Sequence, residues 1–76
     1  VKQFDRITFD ANQMGGKPCI RGLRVTVGMI AGLVASDHSK AEILALYPVL
    51  EEEDIHQALG FAAWRAEEME LPLAVA

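Results

Sequence analysis

At Thr26 the spacing of apolar side chains changes, and this change limits the folds open to the chain more than any other feature. Before it, Arg6-Ile7-Thr8-Phe9-Asp10 alternates polar and apolar residues with β-branched members, the pattern of a short strand. After it, Val27, Ile30, Leu33 and Val34 recur at steps of three and four, as on one face of a helix. Thr26 is by type a good N-cap. A small β element must therefore precede helices.

A second helix follows the short connection Asp37-His38. Ser39-Lys40-Ala41-Glu42 matches a capping box, with Glu42 three residues after the Ser39 cap. Ile43, Leu44, Leu46 and Tyr47 face inward, and Pro48 ends the helix because the residue before proline disfavours the α region. A third helix begins after Leu50. Glu51, Glu52, Glu53 and Asp54 occupy its first turn, where negative charge offsets the helix dipole. Ile55, Leu59, Ala62, Ala66 and Met69 form its apolar stripe, and Pro72 lies past its end. Gly60, in mid-helix, costs about 1 kcal/mol relative to alanine. It predicts the close approach of another element.

The connection Tyr47-Pro48-Val49-Leu50 has the length found in a helix-turn-helix. The expected fold is mainly α, a three-helix helix-turn-helix-like bundle with a short N-terminal β-strand or hairpin. It forms a single domain over 1–76, with a β element at 6–26, a helical core at 27–70 and a tail at 71–76. The expected core is Ile30, Val34, Ile43, Leu46, Tyr47, Leu50, Ile55, Leu59 and Ala62.

Composition adds three limits. With 51% apolar residues the chain is not of the disordered class. Its one cysteine, Cys19, permits no internal disulfide, and 76 residues bury a modest core. A homodimer is expected on that ground. No apolar run approaches the roughly 18 residues of a membrane helix, and the first residues lack an apolar secretory core. With its lone thiol, the chain is expected to be cytoplasmic.

Charge is uneven. Residues 1–38 carry five cations against three anions, and residues 39–76 carry two against eight. Three of the cations, Lys17, Arg21 and Arg24, cluster in MGGKPCIRGLRV. This is not a Walker loop, because Lys17 is followed by Pro18 and no helix starts there. Gly15, Gly16, Pro18 and Gly22 read instead as turn-forming residues. Lys17, Arg21 and Arg24 are the candidate nucleic-acid or partner-binding residues. Groove reading by the third helix is disfavoured, since its leading carboxylates would meet a polyanion. A basic hairpin would have to read DNA instead.

Phe61 and Trp64 lie on the side of the third helix away from its apolar stripe. They form either an interface anchor or the seat of the N-terminal strands. His38, His56 and Cys19 have no metal-ligand spacing, and the acidic run is expected to be solvated. Cys19 reads as a small apolar strand residue. No nucleophile–base arrangement is present, so no enzyme, metal, cofactor or small-molecule substrate is expected.

Arg6-Ile7-Thr8-Phe9-Asp10, Met14-Gly15-Gly16-Lys17-Pro18, Ile20-Arg21-Gly22 with Arg24, Glu42-Ile43-Leu44, Tyr47-Pro48, Asp54-Ile55 and Ala58-Leu59 together resemble the prokaryotic family called domain of unknown function 433. The resemblance runs from Arg6 to about Trp64. It implies a dimeric helix-turn-helix-like domain and, since the family includes VapB-type antitoxins, binding to a PIN-like ribonuclease toxin. Two departures stand out. The family often has Arg-Gly-Thr-Arg-Ile-Pro around Leu23 and Thr26, and a Ser or Thr cap where Glu51 stands. The first expectation is thus a non-enzymatic antitoxin-like protein that neutralises such a toxin through its acidic half. The alternative is a dimeric DNA-binding transcriptional regulator whose basic N-terminal hairpin contacts operator DNA.

Overall fold

The alternation near the N-terminus yields two very short strands. In the computed structural model, which describes residues 4–68, β1 (Ile7–Thr8) pairs antiparallel with β2 (Cys19–Ile20). Ile7 lies opposite Ile20 and Thr8 opposite Cys19. β1 is shorter than the five-residue pattern predicts because Asp10 already starts a turn. Its side chain accepts from the Asn12 N–H and its carbonyl from the Gln13 N–H. The chain then reverses through Met14, Gly15 and Gly16, all at positive φ (51°, 68° and 81°). After β2 a tight turn places Arg21 and Gly22 at φ 45° and 72°, closed by the Leu23 N–H on the Ile20 carbonyl at 2.7 Å. Positive φ at both central positions is what a type I′ turn requires.

Three helices follow. α1 (Val27–Ala35) starts on Thr26, whose hydroxyl accepts from the Met29 N–H at 3.0 Å. It ends in a Schellman turn: Asp37 takes φ 68°, and the N–H groups of Asp37 and His38 return to the carbonyls of Val34 and Leu33. α2 (Lys40–Leu46) has the expected Ser39–Glu42 capping box. α3 (Glu52–Glu68) carries the acidic first turn. Expected features at 69–76, namely Met69 of the stripe and the tail, lie outside the described residues.

α1 packs chiefly against α3, and the β element closes over one end of that pair. Ile20, Val25, Val27, Ile30, Ile43, Leu50, Ile55, Ala58 and Phe61 form the buried cluster. Four of the expected core residues, Ile30, Ile43, Leu50 and Ile55, are in it, and Tyr47, Leu59 and Ala62 pack half-buried against it. Val34 and Leu46 are not core residues: they are 37% and 56% exposed. On α2 the buried arc runs from Ile43 towards Leu44 and Tyr47, so Leu46 falls beyond its edge. On α1 the arc has rotated to Leu33 by the last turn, leaving Val34 outside.

Cys19 is buried, in keeping with a small apolar strand residue. Gly60 faces Phe4: a Cβ built there would stand 3.2 Å from the ring. This is the close approach that the mid-helix glycine predicts. Among the described residues no helix is long and apolar enough to cross a membrane.

Candidate interaction surfaces

The hairpin and the start of α3 meet at Asp54. Its side chain is wholly buried, contrary to the expectation of a solvated acidic run. Arg21 approaches it with two nitrogens, Nε at 3.0 Å from Oδ1 and Nη2 at 2.8 Å from Oδ2. Arg6 Nη1 donates to Oδ1 at 3.0 Å and also to Glu51. Asp54 further accepts from the Glu51 N–H at 2.8 Å, which supplies half of a capping box where Glu51 lacks a capping hydroxyl. Burial pushes the Asp54 carboxyl up, but the hydrogen bonds from Arg21, the Glu51 N–H and Arg6 outweigh it and hold the group below the usual carboxylate range.

The remaining bonds stitch the same junction. Arg21 Nη2 also donates to the Val49 carbonyl at 2.7 Å, which fixes the turn between α2 and α3. Gln57 accepts from the Arg6 N–H at 2.9 Å and donates to Asp5 at 2.8 Å. Thr8 Oγ1 accepts from the Gly22 N–H, and Gln13 donates to the Gly22 carbonyl.

This geometry divides the candidate cations. Arg21 is tied to Asp54 and Val49, whereas Lys17 and Arg24 are exposed and make no ion pair among the described residues. The hairpin thus presents fewer available positive charges than its sequence carries. The acidic run is divided as well: Glu51, Glu52 and Glu53 are exposed, with Glu52 3.6 Å from Lys40, while Asp54 faces inward. Sequence reasoning missed the Arg6–Asp54–Arg21 junction because its members lie 33 and 48 positions apart. The one local signal was Asp54 at the third position after an uncapped Glu51.

Packing within the chain places Phe61 in the core and Trp64 beside it. Phe61 is buried within the chain, its ring 5.6 Å from Phe4, 5.9 Å from Phe9 and 5.7 Å from Trp64. Of the two readings open in the sequence, the seat for the N-terminal segment accounts for Phe61, and Trp64 is half-buried in the same cluster. Among the described residues the exposed large apolar side chains are Phe9, Val34, Leu46 and Val49. Leu46 lines a shallow pocket with His38, Glu42 and Ala45. His56 is exposed, and no group of three or more metal-ligating side chains occurs among the described residues.

Fold and junction define a small three-helix domain whose N-terminal β element is clamped onto the start of its last helix. A family model described as "Protein of unknown function (DUF433)" matches residues 7–62, and the chain belongs to that family. It is similar to a protein of Sinorhizobium fredii described as "Uncharacterized protein y4eO", with 38% identity over 56 residues. That match covers 74% of this chain and 25% of the relative, so the chain spans about a quarter of that protein's length. No solved structure matches.

Proposed function

We propose that the protein is a non-enzymatic, antitoxin-like module that binds and neutralises a PIN-like ribonuclease, working as a homodimer with a helix-turn-helix-like α2–α3 pair. The observation that carries this reading is the surface around the α2–α3 turn. Leu46 and Val49 are 56% and 60% exposed, in a stretch that also carries exposed Glu42, Glu51, Glu52 and Glu53. Apolar anchors in a stretch rich in exposed carboxylates complement the basic surface with which a ribonuclease holds RNA. The engagement of Arg21 by Asp54 and the Val49 carbonyl leaves it less available to a phosphate, which favours protein binding over DNA binding.

Co-expression with the polypeptide encoded beside it tests the reading. A stable complex in gel filtration is expected, and Leu46→Asp with Val49→Asp should dissolve it while circular dichroism stays unchanged. Separate elution of the two unmodified chains would sink the proposal. A DNA-binding regulator is the second reading, favoured by the exposure of Lys17 and Arg24. Its test is Lys17→Glu with Arg24→Glu, because Arg21→Glu would break the fold before it reported on binding. DNA binding through these cations would weaken steeply with salt.

A further inference from the structure

A groove runs between the β element and the far end of α3. Its larger part has a volume of about 590 Å³ and is lined by apolar Pro18, Met29, Phe61 and Ala62, with Lys17 and Arg65 at its polar positions. It continues past Pro18, Phe61 and Arg65 into a second depression of about 380 Å³, walled by Phe9 and Trp64. None of these residues belongs to the Asp54 junction or to the α2–α3 surface. The volume lies in the range of small-ligand sites, as does the mixture of an apolar floor with few charged groups.

The charged side chains that line the groove, Lys17 and Arg65, are both cations. Lys17 and Arg65 are exposed and pair with no carboxylate among the described residues; Arg65 lies 6.0 Å from the Trp64 ring centroid. The first turn of α1, which also lines the groove, carries no acidic residue, unlike the first turns of α2 and α3. Its dipole contributes positive potential at the groove, while Arg65 offsets the negative end of the α3 dipole. A purely apolar ligand would leave this potential unused, and a cation would be repelled.

We infer that the groove is a binding site for a small amphipathic carboxylate, with an aliphatic or aryl-alkyl body lying along Phe61 and Met29 and the carboxylate held between Lys17 and Arg65. Binding here is independent of the partner surface at Leu46 and Val49.

Trp64, the chain's one tryptophan, is a built-in reporter on the wall of the groove. Octanoate below its micellar concentration is the probe, with octanol and octyltrimethylammonium as neutral and cationic partners of equal chain length. Octanoate should blue-shift Trp64 emission and bind at least tenfold more tightly than octanol, with the ammonium weaker still. Lys17→Gln with Arg65→Gln should erase the preference for octanoate over octanol while leaving the thermal melt in place. Equal affinity for octanoate and octanol on the unmodified protein overturns the site without recourse to any variant. So does an unchanged preference in the double variant, or methyl chemical shifts that move on α2 instead of at Met29.

Discussion

Helices α2 and α3 both begin with a carboxylate that returns to the N–H three residues before it, but the two draw on different parts of the chain. α2 uses Ser39 and Glu42, three positions apart and both exposed. Hydrogen bonds from the Ser39 N–H and hydroxyl hold the Glu42 carboxyl below its usual range. α3 uses Asp54, which bonds locally to the Glu51 N–H and then to Arg6 and Arg21, residues 48 and 33 positions away. One start is a local helix signal. The other makes the beginning of a helix the anchor of the tertiary fold. A solvated cap stabilises one helix; a buried one decides whether the β element stays attached.

The largest test of that contrast is Asp54→Ala. It leaves two guanidiniums facing a cavity and removes the N–H acceptor of Glu51. Breaking a buried pair costs about 3–5 kcal/mol, and the lower end applies because both arginines remain partly in water. A loss of about 3 kcal/mol in urea denaturation is expected. The acid limb sharpens it. The folded Asp54 titrates below its ordinary value of 3.8. Its contribution is therefore fully present above that value and lost as pH falls through the lower folded pKa. The urea midpoint of the native protein should fall more steeply below about pH 4 than that of Asp54→Asn. Parallel acid limbs would show that the carboxylate is not the anchor.

Trp64→Ala comes next. It removes one ring from a cluster that fastens Phe4 and Phe9 to α3 without any charge. A half-buried tryptophan makes about 2 kcal/mol a reasonable loss, below the range for fully buried ones. Mass by light scattering should not change if the ring serves its own chain. A drop in mass with stability intact would instead make it a contact between copies.

The same contrast governs how much of the molecule could be read in advance. The Thr26 and Ser39 caps and the break at Pro48 are local, and each is where the sequence places it. The expected stripe of α3 is rotated: Ala66 is exposed, while Ala58 and Phe61 are buried, because the N-terminal segment covers the side of the helix that the stripe leaves open. The close neighbour of Gly60 was also legible, since an uncompensated mid-helix glycine calls for one. Leu46 and Val34 misled because helical spacing marks an apolar face but not how far its neighbours extend along it. The role of Asp54 was hidden for another reason. Four consecutive acidic residues look alike, and only the returning hairpin separates the buried one from its solvated neighbours. Arg21 was hidden by the same step: a cation in a turn gives no local sign of the distant carboxylate that holds it.

Ser39→Ala is the counterpart to Asp54→Ala, on the local side of the comparison. Removing a serine cap costs about 1 kcal/mol. No long-range bond depends on it, so the chemical shifts of the hairpin should stay unchanged. If Ser39→Ala disturbed Arg21 and Gly22 as much as Asp54→Ala does, the distinction between local and anchoring caps would collapse.

The smallest effect tests whether the N-terminal segment yields where Asp54 does not. Gly60→Ala gains about 1 kcal/mol of helix propensity. Against this, the new methyl would meet the Phe4 ring at 3.2 Å, tighter than ordinary contact. Phe4 is half-buried and precedes the first strand, so its ring can move by a few tenths of an ångström, giving up part of its edge-on contact with Phe61. The two effects nearly cancel, and Gly60→Ala alone should lie within about 0.5 kcal/mol of neutral. In a Phe4→Ala background the clash is gone, and the same substitution should stabilise by about 1 kcal/mol. A double-mutant cycle in thermal denaturation reads that difference. A cycle with no coupling would mean that Phe4 does not rest on Gly60, and that the N-terminal segment is held to α3 by its other contacts, among them the bonds of Arg6 to Asp54, Glu51 and Gln57.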